Sequence, residues 1–184
     1  DAVPINYLSS VIDAIWDYLK MSPENPDTWY SKDQSPKGFV ELYHHQALWN
    51  TRQYPRVYNA FCELLKDSHL WSSIDRANMK PPIREGWDQE GFIHWDFDSR
   101  TRPVPFALQG VLCLTDTSAD QGGFQCVPGF HKIIESWCET QPKDRDPFHP
   151  DLRGLEVKAI AGKAGDLIIW DQALPHGNGS NKTQ

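Results

Sequence analysis

A histidine and an aspartate stand two positions apart near the middle of the chain, and another histidine follows much later. His94 and Asp96 lie in an apolar segment, residues 92–97, that predicts a short β-strand. Side chains at i and i+2 of a strand point to the same face, so this imidazole and this carboxylate can reach one ion. His176 follows a second predicted strand, residues 167–170, and is the third candidate ligand. Two neutral imidazoles and one carboxylate on one side of a metal leave three positions open, as in non-haem Fe(II) sites.

The remaining histidines stand in ordinary surroundings. We expect surface or packing roles for four of them: His44, His45, His69 and His149. His131 lies in a Pro-Gly-Phe-His turn, and we expect it to make a structural hydrogen bond that pins the loop rather than to bind metal. A His-x-Asp pattern alone is a weak signal, because a half-buried strand with one polar face would also show it.

The elements that must position these residues fall into two halves. Before about residue 70, apolar side chains recur at helical spacing over residues 8–19 and 57–65, and more weakly over residues 41–49. After it, short runs of β-forming residues alternate with Gly and Pro turns. These predicted strands span residues 70–79, 92–97, 105–115, 123–127, 155–160 and 167–170. Helices followed by strands predict a mainly β jelly-roll core flanked by N-terminal α-helices.

Length and composition predict one domain over residues 1–184, with a helical part at 1–69 and the β core at 70–184. The net charge of −7 argues against non-specific nucleic-acid binding. No apolar run approaches the ~20 residues of a membrane span, and nothing reads as a signal peptide. The four cysteines form no CxxC pair, which favours a reduced, cytoplasmic protein. The chain starts at Asp1 and ends in a polar tail, so we expect the natural protein to extend beyond both ends.

Further motifs follow the His-x-Asp pair in a fixed order. They are GVLCLTD at 110–116, QGGFQCVPGFHK at 121–132, GDLIIWD at 165–171 and PHGNGSN at 175–181. As an ordered set, these motifs resemble the phytanoyl-CoA dioxygenase family of Fe(II)/2-oxoglutarate oxygenases. The resemblance covers roughly residues 70–181 and, more loosely, the helices before them.

This resemblance implies a double-stranded β-helix, a cupin-like jelly roll, and iron held by His94, Asp96 and His176. It further implies that 2-oxoglutarate chelates the metal, that O₂ takes the last open position, and that succinate and CO₂ are released. Because Asp96 is present, hydroxylation of a small or medium organic molecule is favoured over halogenation, for which family-like halogenases lack this carboxylate.

Three further residues are candidates for contacts with 2-oxoglutarate or the pocket: Gln109, Asn178 and Asn78. The resemblance also implies an Arg about ten residues after the distal histidine, which would pair with the far carboxylate of 2-oxoglutarate. Only Lys182 is basic after His176, and we expect the Arg to lie beyond Gln184.

Two alternatives remain open from the residues. One is a cupin-type metal-binding jelly roll without 2-oxoglutarate chemistry, and the other is a non-catalytic family member. The substrate class is also open between a lipid-like molecule, including an acyl-CoA, and a secondary metabolite. The charged, proline-containing stretch at 139–153 predicts a long loop of the kind that often serves as a lid.

Overall fold

The computed structural model describes residues 1–31, 35, 37–87 and 91–183. Four α-helices lie in these ranges: α1 Ile5–Leu19, α2 Gln46–Arg52, α3 Pro55–Leu65 and α4 Ile134–Glu139. The seven strands are short: β1 Phe39–Val40, β2 Ala77–Asn78, β3 Leu108–Leu112, β4 Phe124–Cys126, β5 Lys158–Ala159, β6 Leu167–Asp171 and β7 His176–Asn178.

The N-terminal helices form where the apolar spacing predicts them. Leu8, Val11 and Ile15 are buried on one face of α1. Pro55 occupies the first turn of α3, where its missing N–H leaves no helical hydrogen bond unmade. The weakly patterned helix predicted at 41–49 is shifted, because the His45 ring accepts the Ala47 N–H at 3.2 Å and so begins α2 at residue 46.

The strands form three small antiparallel sheets within the described residues. Their orders are β1–β2, β3–β6 and β5–β4–β7. The two larger sheets face each other, since Trp170 and Ile168 of β6 pack into the same apolar cluster as Phe124 of β4. The opposite face of β3–β6 packs against the helices through Leu112 and Leu167. The β3–β6 sheet therefore lies between the helices and the β5–β4–β7 sheet, which carries His176.

The predicted mainly β fold needs correction, because the structure is mixed helix and sheet and its described residues form no closed barrel. The strand predicted at 70–79 shrinks to β2, and Trp71, which is 98% exposed, finds nothing to pack against. The predicted strands at 105–115, 123–127 and 155–160 contain β3, β4 and β5, but each observed strand is shorter than the predicted one. Residues 167–170 are confirmed within β6.

The segment at 92–97 is also not a regular strand. It meets β7 at one antiparallel bridge, where the N–H and C=O of His94 pair with those of His176 at 2.8 and 3.0 Å. Trp95 then turns its N–H to Phe148 O at 2.8 Å, and Ser99 donates to Pro147 O at 3.1 Å. The loop after α4 is thus fastened along the segment that holds His94 and Asp96.

None of the helices in the described part of the chain is long and apolar enough to cross a membrane.

Candidate metal centre

The fold brings the three predicted ligands together. One ligand atom from each of His94, Asp96 and His176 lies within 4.8 Å of the others. Asp96 faces both rings: its Oδ1 is 3.0 Å from Nε2 of His94 and its Oδ2 is 3.3 Å from Nε2 of His176. The His176 side chain is 7% exposed, that of His94 25% and that of Asp96 47%. The cluster is therefore buried on the His176 side and open to solvent on the Asp96 side.

The protonation of His176 follows from its surroundings. Its Nδ1 lies 3.0 Å from Leu174 O, and a backbone carbonyl can only accept, so Nδ1 carries the proton. In the neutral ring Nε2 then presents a lone pair to the Asp96 carboxylate. Two acceptors at this distance repel each other unless a nearby cation is bound by both side chains or the ring takes a second proton. The arrangement therefore suits a metal ion, and a carbonyl bond to the far nitrogen is usual for ligating histidines.

Asp96 is held in its ionised form. The side chains of His176, His94 and Gln109 around it together outweigh burial and hold the pKa of this carboxyl well below its usual range. A carboxylate that ligates metal must be deprotonated, so this site has its anionic ligand ready. The Nδ1 atom of His94 is buried without a hydrogen-bond partner among the described residues. Two imidazoles and one carboxylate are the donor set of a facial iron site, so the three residues present fit such an ion.

Gln109 reaches the centre from the opposite sheet. Its Nε2 donates to Asp96 Oδ2 at 2.5 Å, and its Oε1 accepts from Trp170 Nε1 at 3.1 Å. Gln109 and Trp170 are directly paired across β3 and β6, so both side chains project from the same face of that sheet. The part played by Trp170 could not be found from the sequence, because no local signal reveals the register of two distant strands.

Aromatic rings surround the two histidines. Phe92 lies 5.2 Å from the His94 ring and Trp170 lies 4.8 Å from the His176 ring, measured between centroids. Trp95 points the other way, as strand alternation predicts, and its buried indole donates to Ala173 O at 3.0 Å. These partly buried rings surround the two imidazoles with apolar surface.

The other candidate positions are more dispersed. Asn178 lies two residues past His176 on β7, and its backbone carbonyl accepts the Phe92 N–H. The Asn78 amide donates to Lys37 O at 3.2 Å. Beside it, Lys80 donates to Gly179 O at 2.6 Å, and burial lowers the pKa of this amine to about 8. Lys80 joins the strand of Asn78 to the segment just after β7.

His131 stands apart from the metal cluster in a short 3₁₀-helix, Phe130–Lys132. Its Nδ1 is buried and finds no hydrogen-bond partner in the described parts of the chain. This nitrogen therefore does not make the structural hydrogen bond that we expected for the turn.

The cluster of two histidines and one aspartate beside two facing sheets matches the donor set of non-haem iron proteins. The profile of the phytanoyl-CoA dioxygenase (PhyH) family matches residues 8–184, and the chain belongs to this family.

Curated relatives are similar at low identity. The ectoine dioxygenase of Bordetella bronchiseptica is 29% identical over 146 residues, which is 69% of this chain and 46% of that protein. The Ava biosynthesis cluster protein O of Aspergillus versicolor is 23% identical over 181 residues, covering 86% of this chain and 58% of its own length. The chain thus spans about half the length of the curated relatives it matches.

Solved structures share the fold. The GlcNAc-inducible protein GIG2 of Candida albicans superposes with a TM-score of 0.64 at 11% identity, over 100% of this chain and 57% of that one. The epimerase SnoN, solved in complex with Fe³⁺, alpha ketoglutarate and nogalamycin RO, gives a TM-score of 0.61 at 16% identity, over 99% of this chain and 71% of its own.

Proposed function

We propose that this protein is an Fe(II)- and 2-oxoglutarate-dependent dioxygenase that hydroxylates a small or medium organic molecule and releases succinate and CO₂. The observation that carries the proposal is the convergence of His94, Asp96 and His176, each of which offers one ligand atom within 4.8 Å of the others. Membership of the PhyH family and the ectoine dioxygenase relatives support the same activity. We further propose that the core is a double-stranded β-helix, since its two larger sheets pack face to face.

His94, Asp96 and His176 would hold the iron, which when bound supplies the redox chemistry that couples O₂ to 2-oxoglutarate. The protein supplies the rest. Asp96 stays ionised over the whole physiological pH range because its pKa is held low. The half-exposed side of the cluster leaves room for 2-oxoglutarate and substrate, and we assign Gln109, Asn178 and Asn78 to the walls of that space.

The substrate class follows from weaker observations. Two relatives are named for ectoine and for a biosynthesis cluster, and SnoN was solved with nogalamycin RO. These names favour a secondary metabolite or a similar small molecule over a macromolecule. The aromatic rings beside the histidines would suit a substrate with apolar surface, so a lipid-like molecule fits the same walls. We further propose a cytoplasmic location, where both kinds of substrate occur.

The first experiment tests metal binding and cosubstrate binding separately. Anaerobic Fe(II) is added to the purified protein, followed by 2-oxoglutarate, and the visible spectrum is recorded. We expect a weak charge-transfer band, and succinate once air is admitted. Metal binding without a band and without succinate would instead indicate a cupin-type site that does not use 2-oxoglutarate.

Substitutions identify the ligands. His94→Ala, Asp96→Ala and His176→Ala should each abolish Fe(II) binding while the far-UV circular dichroism spectrum stays that of the parent. His131→Ala is the matched control, since it removes another partly buried imidazole outside the cluster. A loss of metal affinity in His131→Ala as large as that in His94→Ala would show that we have assigned the wrong ligands.

A further inference from the structure

A chain of two hydrogen bonds ends on the metal-binding carboxylate. An indole N–H can only donate, so the side-chain atom of Gln109 that faces Trp170 must be the carbonyl oxygen. The amide NH₂ is then turned to Asp96, where it donates to Oδ2 at 2.5 Å. Trp170 therefore fixes which end of the Gln109 amide the carboxylate meets, and the opposite orientation would set two acceptors against each other.

We infer that Gln109 is a positioning residue that holds Oδ2 of Asp96 and leaves Oδ1 to ligate the ion. This inference rests on the proposed function, because it assigns a task within the same metal site. A carboxylate with one oxygen hydrogen-bonded to a fixed amide donor binds metal through its other oxygen. One-oxygen ligation keeps a further coordination position free, and a site that must accept both 2-oxoglutarate and O₂ requires that position.

Asp96 needs such support because little else restrains it. Its side chain is 47% exposed, and its other contacts within the described residues are the two imidazoles that would themselves bind the ion. A half-solvated carboxylate turns readily about its terminal bond. A hydrogen bond to a charged acceptor is stronger than one between neutral groups, so the amide can hold the plane of the carboxylate.

The support is rigid because it comes from a sheet. Gln109 and Trp170 face each other at one register position of the five-residue β3–β6 ladder. The Trp170 ring also lies 4.8 Å from the His176 ring, so the same pair of residues contacts two of the three ligands. Strands hold a side chain more precisely than loops do, and Asp96 itself lies in a bend after the His94 bridge.

The test measures metal affinity without cosubstrate or turnover. Mn(II) replaces Fe(II), and the free ion is followed by electron paramagnetic resonance during titration. Gln109→Leu and the near-isosteric Gln109→Met both remove the amide, and the pair guards against one of them failing to fold. Gln172→Leu is the matched control, because Gln172 lies just past β6 and donates to Pro105 O, away from the cluster.

We expect both Gln109 variants to raise the Mn(II) Kd by roughly 10- to 100-fold, the usual effect of losing a hydrogen bond to a metal ligand. Gln172→Leu should bind as the parent does. Trp170→Phe keeps an aromatic ring but removes the N–H donor, so its Mn(II) Kd should rise by less than that of the Gln109 variants. The Gln109→Leu/Trp170→Phe double variant should bind no more weakly than Gln109→Leu alone, because Trp170 acts on Asp96 through Gln109.

Each outcome bears on a different claim. A parent protein that binds no Mn(II) would refute the proposed function, and the inference with it. A parent that binds while both folded Gln109 variants bind equally well would overturn the inference and leave the function standing. Strictly additive effects in the double variant would refute the role given to Trp170.

Discussion

Gly177 lies next to the proposed ligand His176, where β7 passes close to the backbone of Phe92. A Cβ at this position would lie 1.9 Å from Phe92 O, whereas real Cβ atoms essentially never come within 3.0 Å of another heavy atom. The obstacle is backbone, so no side chain can rotate away. We therefore expect Gly177→Ala to force β7 and the Phe92–His94 segment apart by about 1 Å.

The size of the effect follows from what that separation breaks. The His94–His176 bridge has hydrogen bonds of 2.8 and 3.0 Å, and stretching them by this amount loses both, at about 1 kcal/mol each. Overpacking adds about 1–3 kcal/mol. We expect Gly177→Ala to lower the free energy of unfolding by about 3–5 kcal/mol, or Tm by roughly 6–20 °C in a domain of this size. Because the bridge joins two ligands, the Mn(II) Kd should also rise at least ~10-fold.

Urea unfolding followed by tryptophan fluorescence measures the first effect, and Mn(II) titration of the folded variant measures the second. Gly179→Ala is the matched control two residues along the same segment. Its Cβ would meet nothing closer than Gln125 Oε1 at 3.4 Å, an ordinary contact, so we expect a change below about 1 kcal/mol. If Gly177→Ala unfolded at the same urea concentration as Gly179→Ala and bound Mn(II) like the parent, the argument from close approach would be wrong.

Two other perturbations act away from the ligands. Burial lowers the pKa of Lys80 to about 8, below the ~10.4 of an unfolded lysine, so the unfolded state binds more protons between these pH values and stability should rise with pH across that window. After allowance for partial solvation, we expect the free energy of unfolding in urea to rise by about 1–2 kcal/mol from pH 8 to 10. The Lys80→Met variant should lack this rise. An equal dependence of stability on pH in both proteins would contradict the prediction. Ser99 is fully buried and its hydroxyl donates to Pro147 O at 2.5 Å, so Ser99→Ala should cost about 1–3 kcal/mol in the same assay. The exposed Ser136→Ala is its control, and an equal loss there would show that the loop anchor contributes nothing.

The convergence of His94, Asp96 and His176 could be predicted from the sequence because most of its signals are local. Strand alternation places His94 and Asp96 on one face, and the ordered motifs single out His176. The helices at 8–19 and 57–65 could be predicted for the same reason, since their apolar spacing reports the face that packs.

The features that could not be predicted depend on pairing between segments that are distant in the sequence. The segment at 92–97 has strand composition, yet the Trp95 N–H goes to Phe148 O in a distant loop and the ladder ends after one bridge. The bond of Gln109 to Asp96 depends on the register of β3 against β6, which no run of residues in either strand reveals. Composition indicates that a segment suits a strand, but not which other segment it pairs with or in which register.

The bridge between His94 and His176 bears on how the ion is acquired. These two ligands are joined backbone to backbone, so their imidazoles are brought side by side when the polypeptide folds. Small zinc domains, by contrast, gather their ligands as they bind metal and are unfolded without it. We therefore expect the two imidazoles to keep their places with or without an ion, so that its loading and loss would change the surrounding architecture little.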